Sequence, residues 1–350
     1  MKIGTQTIKL ENKPRIISTS NIVGKKEMDG PLGSYFDAYT EDEFFGEKTF
    51  EKAESKLIET CLDNLIKKAK LGNEDIDYIF GGDLLNQCIA NAFSIKNFNI
   101  PYLGLYGACS TFVESSILAS LFVNAGYADK TVSVSSSHFC TAERQFRLPL
   151  EHGNQKSPTA QCTVTASGSM LFCNNADTNN KNPCVTYVTP GKIVDMGIKD
   201  MTNMGAAMAG AAIDTIITHL KDTKRSADYY DAILTGDLGV LGSEILIDLC
   251  QKQGFDLSKV HFDAGKMIYD IEAQDAHCGG SGCGCVASVF TSYFFNKLKA
   301  HEMNKILVVA TGALMSTTSS MQGDSIPGIA HAIAVSYTHL RAHETSQDLV

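Results

Sequence analysis

Four stretches of this sequence hold side chains whose types and spacing can do chemistry. In the first, PYLGLYGACSTFVESSILASLF, an apolar run reaches Gly107, turns at Ala108-Cys109 and enters a segment rich in Ser and Ala. That pattern predicts a strand, an elbow and a helix, with Cys109 at the elbow. The exposed N–H groups and positive dipole at a helix start favour thiolate over thiol, and small neighbours let a substrate reach the sulfur. A cysteine that only packs in a tight turn would leave the same trace. The second stretch, SSSHFCTAERQFRLPLEHGNQK, follows a strand ending near Ser135. His138, Glu143, Arg144 and Arg147 therefore stand at or beyond a strand's carboxyl end, where open α/β sheets hold their ligands. An arginine fork can clamp a carboxylate there, and a histidine can donate to it or accept from it. The plainer alternative is a solvated loop with an internal Glu–Arg pair.

The third stretch, AQDAHCGGSGCGCVAS, sets His277 beside Cys278, Cys283 and Cys285. Its C-x4-C-x-C spacing is not a standard zinc pattern, so no metal is expected, and a glycine-rich turn feeding a tightly packed helix explains it better. The same run makes no GxGxxG fingerprint, and GxxxxGKS/T occurs nowhere, so no nucleotide cofactor is expected. The fourth is a pair of Gly-Asp-Leu turns. Asp83, with Asn86 and Gln87 behind it, and Asp237 can each face a cleft or cap the helix that follows.

The elements that must position these residues come from a weak internal repeat. EKAESKLIETCLDNLIKKAK sets Leu57, Ile58, Cys61, Leu62 and Leu65 on one helical face and leads through a polar turn to the strand Ile76–Phe80 and GDL. MGAAMAGAAIDTIITHLKD, a polar turn, the strand Asp231–Leu234 and a second GDL repeat the order. This predicts a duplicated α/β unit. Lys130–Ser135 and Lys305–Ala310 read as buried strands, each after an apolar helix, Ser110–Ala125 and Ala287–Lys299. Thr163–Cys173 and Cys184–Val188 read as further strands, with the boundary between halves in the polar turn joining them, so that residues 1–178 and 179–334 form the two units. Residues 24–50 read as a surface excursion or an oligomer contact.

Composition sets the outer limits. The chain has 350 residues, 30 Lys+Arg against 39 Asp+Glu, a net charge of −9 and 44% hydrophobic residues, ample for a large core. Only 20% of residues are charged, which argues against a disordered chain, and an acidic balance without a basic block argues against nucleic acid as a partner. MKIGTQTIKLENKPRIIS carries too many charges for a signal core, and no run reaches the roughly 18 uncharged apolar residues of a membrane span. A cytosolic setting is the expectation, with the eleven cysteines mostly buried and reduced.

The Cys elbow in the first of two repeated units resembles the thiolase superfamily. More narrowly, GPLG, GGDLLNQ, LYGACST, SSSHFCTAERQFR, ILTGDL, GGSGCGC and ILVVATGAL, in this order from about residue 5 to residue 334, resemble the stage V sporulation AD family. The resemblance implies an α/β, thiolase-like fold of two duplicated βαβαβαββ halves stacked in five layers. It implies binding of dipicolinic acid (pyridine-2,6-dicarboxylate), with uptake into the developing spore and release in germination. The implied partners are dipicolinate and the other proteins of the same operon, several of them integral in the membrane. The implied place is the forespore, peripherally at the spore inner membrane, and relatives of the superfamily imply a possible homodimer.

Condensing enzymes of the superfamily pair the cysteine with a histidine and often an asparagine. Here the matching positions read Asp237 and Gly280, which implies a retired enzyme whose nucleophile, Cys109, is vestigial. Dipicolinate is flat, rigid and doubly negative, and needs donors such as Arg forks, His, or a helix start. Cys109, His138, Glu143 and Arg144 are the expected contacts, Glu143 orienting Arg144, with Gln87 and His331 as further candidates. Were calcium to enter as calcium dipicolinate, Asp83 or Asp237 would face it. The competing readings are an active Cys109 acyltransferase and a non-binding scaffold. The tail 335–350, VSYTHLRAHETSQDLV, does not continue the resemblance and reads as translated adapter sequence, which would leave His339 and His343 without meaning.

Overall fold

The strands are the short apolar runs that a sheet covered on both faces demands. The computed structural model describes residues 1–146, 157–174 and 182–337. Arg147, the 178/179 boundary and the tail beyond Tyr337, with His339 and His343, lie outside the described residues. In chain order the first unit runs β1 (Arg15–Val23), α1 (Phe50–Ala69), β2 (Tyr78–Gly82), α2 (Ile89–Ile95), β3 (Tyr102–Gly104), α3 (Thr111–Ala125), β4 (Lys130–Ser137), α4 (Phe139–Phe146) and β5 (Ala166–Cys173). The second runs β6 (Cys184–Thr189), α5 (Met204–Thr223), β7 (Ala232–Thr235), α6 (Gly239–Lys252), β8 (His261–Asp263), α7 (from Cys283, through a π-turn at Phe290–Phe294, to Lys299), β9 (Lys305–Ala313) and β10 (Gly328–Ser336).

Sheet order makes the duplication explicit. The first unit pairs its strands β3-β2-β4-β5-β1 and the second β8-β7-β9-β10-β6, the same order twice. β1 meets β6 at Arg15–Cys184, so the two half-sheets form one continuous path. The repeat extends to local chemistry. α1 and α5 each span 20 residues, begin at a side-chain cap (Thr49, Asn203) and end at a left-handed lysine (Lys70, Lys224), followed by a 3-10 turn and a strand.

Five layers follow from which faces are apolar. α1 covers β1 and β5 through Ile58, Leu62 and Leu65, and α5 covers β9 and β10 through Ile213, Ile216 and Leu220. Between the half-sheets lie α3 and α7, whose Phe112, Ile117, Phe290 and Phe294 share one core with Phe172 of β5 and Ile333 of β10. At the outer edge of β6, residues Lys2–Ile3 and Thr7–Lys9 form a hairpin whose Ile8 pairs with Val188. Asp222 of α5 accepts the N–H groups of Thr5, Gln6 and Thr7 at 2.8, 2.9 and 2.9 Å. Partial burial opposes ionisation there, and these donors outweigh it, holding the carboxyl at about 2.

Three expectations need correction. Thr163–Cys173 is not one strand: Cys162–Thr163 pairs separately with Gly280–Ser281, joining the two units beside the Cys109 elbow. The helix expected from Ala287 begins at Cys283, because the glycine-rich run turns into it directly. Residues 24–50 are not wholly a surface excursion, since Glu27 and Leu32 are buried and the Tyr269 hydroxyl donates to Glu27.

Candidate functional site

Hydrogen bonds among small residues fix the elbow. Ser110 Oγ donates to the Gly107 carbonyl at 2.7 Å, and the Thr111 hydroxyl donates to the Ala108 carbonyl at 2.7 Å while accepting Gly107 N–H at 3.0 Å. Ala108 is held at φ +50°. Gly312 of β9 presses on the turn so closely that a Cβ there would lie 2.3 Å from the Gly107 oxygen, so the second unit pins the first unit's elbow. Cys109 stands at the base of a narrow cleft between the units, 8% exposed. Its walls are Leu84, Tyr106, Ala108, Ala142, Phe146 and Thr163 on one side and Met204, Ser281, Ala313 and Met315 on the other.

Behind the cleft wall stands the Asp237 carboxyl, near enough to the thiol to oppose its ionisation. Asp237 accepts the Thr311 hydroxyl at 2.5 Å and Gly282 N–H at 3.1 Å, and its main-chain oxygen accepts Gln161 Nε2 at 2.7 Å. Cys283 lies alongside and donates to the Ala108 carbonyl at 3.1 Å. Burial, then the Asp237 charge and Cys283, push the Cys109 thiol well above its ordinary value. The expected thiolate is therefore reversed: the sulfur is shut from water and faces a carboxyl, which together outweigh the helix end.

The other expected contacts do not converge on Cys109. His138 is buried, its Nε2 donating to the Glu43 carbonyl at 2.8 Å and its Nδ1 accepting Cys140 N–H at 3.2 Å. Desolvation lowers its pKa, which agrees with a neutral ring. Arg144 pairs with Glu51 at the surface, not with Glu143, which is buried and accepts the Thr163 hydroxyl at 3.2 Å. Asp83 is fully buried and spent on Leu85 N–H and on the backbone and side-chain N–H groups of Asn91, so it cannot face a metal in the cleft. Gln87 is exposed at φ +63°, and His331 accepts Gly191 N–H at 3.0 Å, its pKa lowered to about 4 by burial. Of the expected set, Cys109 alone lines the cleft and Asp237 backs it.

Sequence reasoning missed Glu54 and Asp263. Glu54 lies on the apolar face of α1, four residues before Ile58, and this position was the available signal. It accepts Ser136 Oγ at 2.9 Å and Thr141 Oγ1 at 2.7 Å, facing Asp83, and burial together with Asp83 raises it to about 8. Asp263 accepts the Thr235 hydroxyl and the N–H groups of Leu238, Gly239 and Lys266 at 2.7–3.1 Å, with burial raising it to about 6. Burial likewise raises Asp237 to about 7.

Each of these acids binds its proton more tightly folded than unfolded, so their contribution to stability is greatest near pH 4 and is lost as pH rises towards about 8. The thermal midpoint is expected to fall between pH 5.5 and pH 8.5 in scanning calorimetry. A midpoint that rises across that range would contradict this account.

The comparisons with known proteins agree with this architecture. Residues 4–336 match the family model described as Stage V sporulation protein AD, two residues past the expected end of the resemblance, where β10 also ends. Stage V sporulation protein AD of Bacillus subtilis (strain 168) is 42% identical over 330 residues, covering 94% of this chain and 96% of that protein. This chain belongs to the stage V sporulation protein AD family. Solved structures similar to this member of the family are enzymes of the thiolase-like fold. 3-Oxoacyl-(acyl-carrier-protein) synthase III from Aquifex aeolicus VF5 superposes with a TM-score of 0.56 at 13% identity, covering 93% of this chain and 100% of that one. A variant of OleA from Xanthomonas campestris gives 0.59 at 13% identity, covering 94% and 99%. At that identity the likeness is one of fold.

Among the described residues of this family member, no group of three His, Cys, Asp or Glu side chains could hold a metal ion. One helical stretch, Ala108–Ala125, is apolar and long enough to cross a membrane, and it is the central-layer helix α3 with its lead-in, 67% buried.

Proposed function

We propose that this chain serves sporulation as a ligand-binding member of the thiolase-like fold, not as an acyl-transfer enzyme, and that its cleft takes dipicolinate. The observation that carries the reading is Cys109 buried at the base of the cleft with the Asp237 carboxyl behind it, a setting that disfavours a thiolate. Acyl transfer needs a thiolate, a proton acceptor and oxyanion donors. No histidine or asparagine lines the cleft among the described residues, and Gly280, buried in the strand beside it, brings no side chain. Tyr106, Phe146, Met204 and Met315 instead offer apolar walls to a flat ring, and Ser281 offers a hydroxyl donor, with the positive end of α3 behind it.

On this reading the chain supports dipicolinate uptake into the forespore and its release in germination. It works beside the integral membrane proteins of its operon and is held peripherally at the spore inner membrane. Calcium would enter only as calcium dipicolinate, with Asp83 out of reach. A homodimer formed edge to edge along β3 belongs to the same reading, since β3 ends the sheet and Leu103, Tyr106 and Phe93 are exposed around it.

Calorimetric titration of dipicolinate, with and without calcium, tests the binding. Saturable binding that survives Cys109→Ala and disappears when Ala313→Phe fills the cleft is the expected result, with no acyl adduct on Cys109 after incubation with coenzyme A thioesters. An adduct that turns over would establish the acyltransferase. Neither binding nor turnover would leave a scaffold.

A further inference from the structure

The most unusual group next to the cleft is a carboxyl in a setting without a counter-charge. Asp237 is 1% exposed, and the titratable groups set around it are Cys109 from the elbow, Cys283 and Cys285 from α7, and Asp263 from β8. Asp83 and Glu54 stand beyond Cys283. None of these is a cation. Among the described residues its carboxyl is held by two neutral donors, the Thr311 hydroxyl from β9 and Gly282 N–H, with the Cys109 thiol beside it. An anion entering the cleft would rest against Cys109 and Ser281, with Asp237 directly behind the sulfur and behind Gly282, the residue after Ser281. Charges in so dry a place interact more strongly than in water.

We infer that anion binding in the Cys109 cleft is coupled to uptake of a proton by Asp237, so that the site holds an anionic ligand while the carboxyl is neutral and sheds it as the carboxyl ionises. The inference rests on the proposed binding function and adds its regulation. The proton comes from solvent and goes to a carboxylate oxygen of Asp237, and no covalent bond to the ligand is made. Neutral Asp237 can keep accepting from Thr311 and Gly282 through its lone pairs, so the cleft need not rearrange. Ionised, it sets a third negative charge beside a dianion. Burial places the Asp237 midpoint at about 7. The neutral fraction then drops from about nine-tenths at pH 6 to about one-tenth at pH 8, and apparent affinity weakens about tenfold. Dipicolinate is dianionic throughout that interval, so the change belongs to the protein.

The test is titration of dipicolinate into the full chain at pH 6 and pH 8, each in two buffers of different protonation enthalpy, which counts protons exchanged. About one proton taken up per ligand at pH 8, with affinity about tenfold weaker than at pH 6, is the expected result. Asp237→Asn, which keeps an acceptor for Thr311 or Gly282, should bind at pH 8 as tightly as at pH 6, with no proton exchanged. Because the proton count is read on the unaltered protein, misfolding of the variant leaves the inference testable. Binding of equal strength at both pH values without proton exchange would overturn the coupling and leave the binding function standing. No binding at either pH would overturn the binding function, and the coupling with it.

Discussion

Placing at position 280 the asparagine that the resemblance to condensing enzymes leads one to expect there, by Gly280→Asn, is expected to destabilise the chain without creating an enzyme. Gly280 is fully buried in the short strand that pairs with Cys162–Thr163. A Cβ there would lie 2.8 Å from Ile268 Cγ2, 2.9 Å from Val164 Cγ2 and 3.3 Å from Tyr269 Cε2. Forcing atoms into such a site costs about 1–3 kcal/mol, and an amide with no partner among these apolar groups adds about 1–3 kcal/mol. The thermal midpoint should therefore fall by roughly 3 °C or more. Adding Asp237→His should bring no acyl transfer, since Cys109 stays buried and the oxyanion donor points into packed side chains. A Gly280→Asn protein that melts like the parent, or a double variant that turns over an acyl thioester, would show that the position was vacated by drift and remains open to catalysis.

Asp263→Ala is also expected to be costly. One carboxylate there gathers the Thr235 hydroxyl at the end of β7 and three backbone N–H groups, in the turn that follows β7 and at the start of the next short helix. Removing it strands the buried N–H groups of Leu238 and Gly239 and the part-buried one of Lys266, while Thr235 keeps His261 and the Phe262 carbonyl, so at about 1–3 kcal/mol per stranded buried donor a loss of about 2 kcal/mol or more is expected in denaturant titration. The loss should be partly recovered by Asp263→Asn, which restores an acceptor. Since Leu238 and Gly239 directly follow Asp237, the alanine variant should also lose dipicolinate affinity beyond what its remaining folded fraction explains. A change below about 1 kcal/mol, within reach of ordinary surface substitutions, would mean that the turn holds without this carboxylate.

The repeat, the strand set and the elbow were legible because they are written in local pattern: apolar runs of strand length, one-sided helices, and a turn of small residues before a helix. Cys109 was legible from the elbow and Asp237 from its Gly-Asp-Leu turn, while only the family resemblance set the two beside each other. What sequence could not supply was direction. His138 and Arg144 follow the expected strand, yet one turns inward to the Glu43 carbonyl and the other outward to Glu51, partners 95 and 93 residues away along the chain. The elbow alone points to a thiolate, and only the resemblance, which matches Asp237 to the partner position of Cys109, points the other way. The helix start that favours thiolate is local, whereas Asp237 and Cys283 arrive from the other unit. Glu54 and Asp263 went unnoticed because a charged letter normally marks the solvated face, and the hydroxyls that tame these two come from strands and a helix distant in sequence.

The hairpin at residues 2–9 has a consequence for how the protein is made. It belongs by sequence to the first unit and by pairing to the second, through Val188 and Asp222. As the chain leaves the ribosome, β1 to β5 can assemble once residue 173 has emerged, but residues 2–9 must wait until α5 has followed. Until then they trail as a free ribbon with unpaired N–H groups, and a second copy's β6 edge would accept them as readily as their own. Exchange of this ribbon between neighbouring nascent chains is thus a misassembly the topology leaves open, and the three N–H groups gathered by Asp222 are what the correct closure gains over the free ribbon.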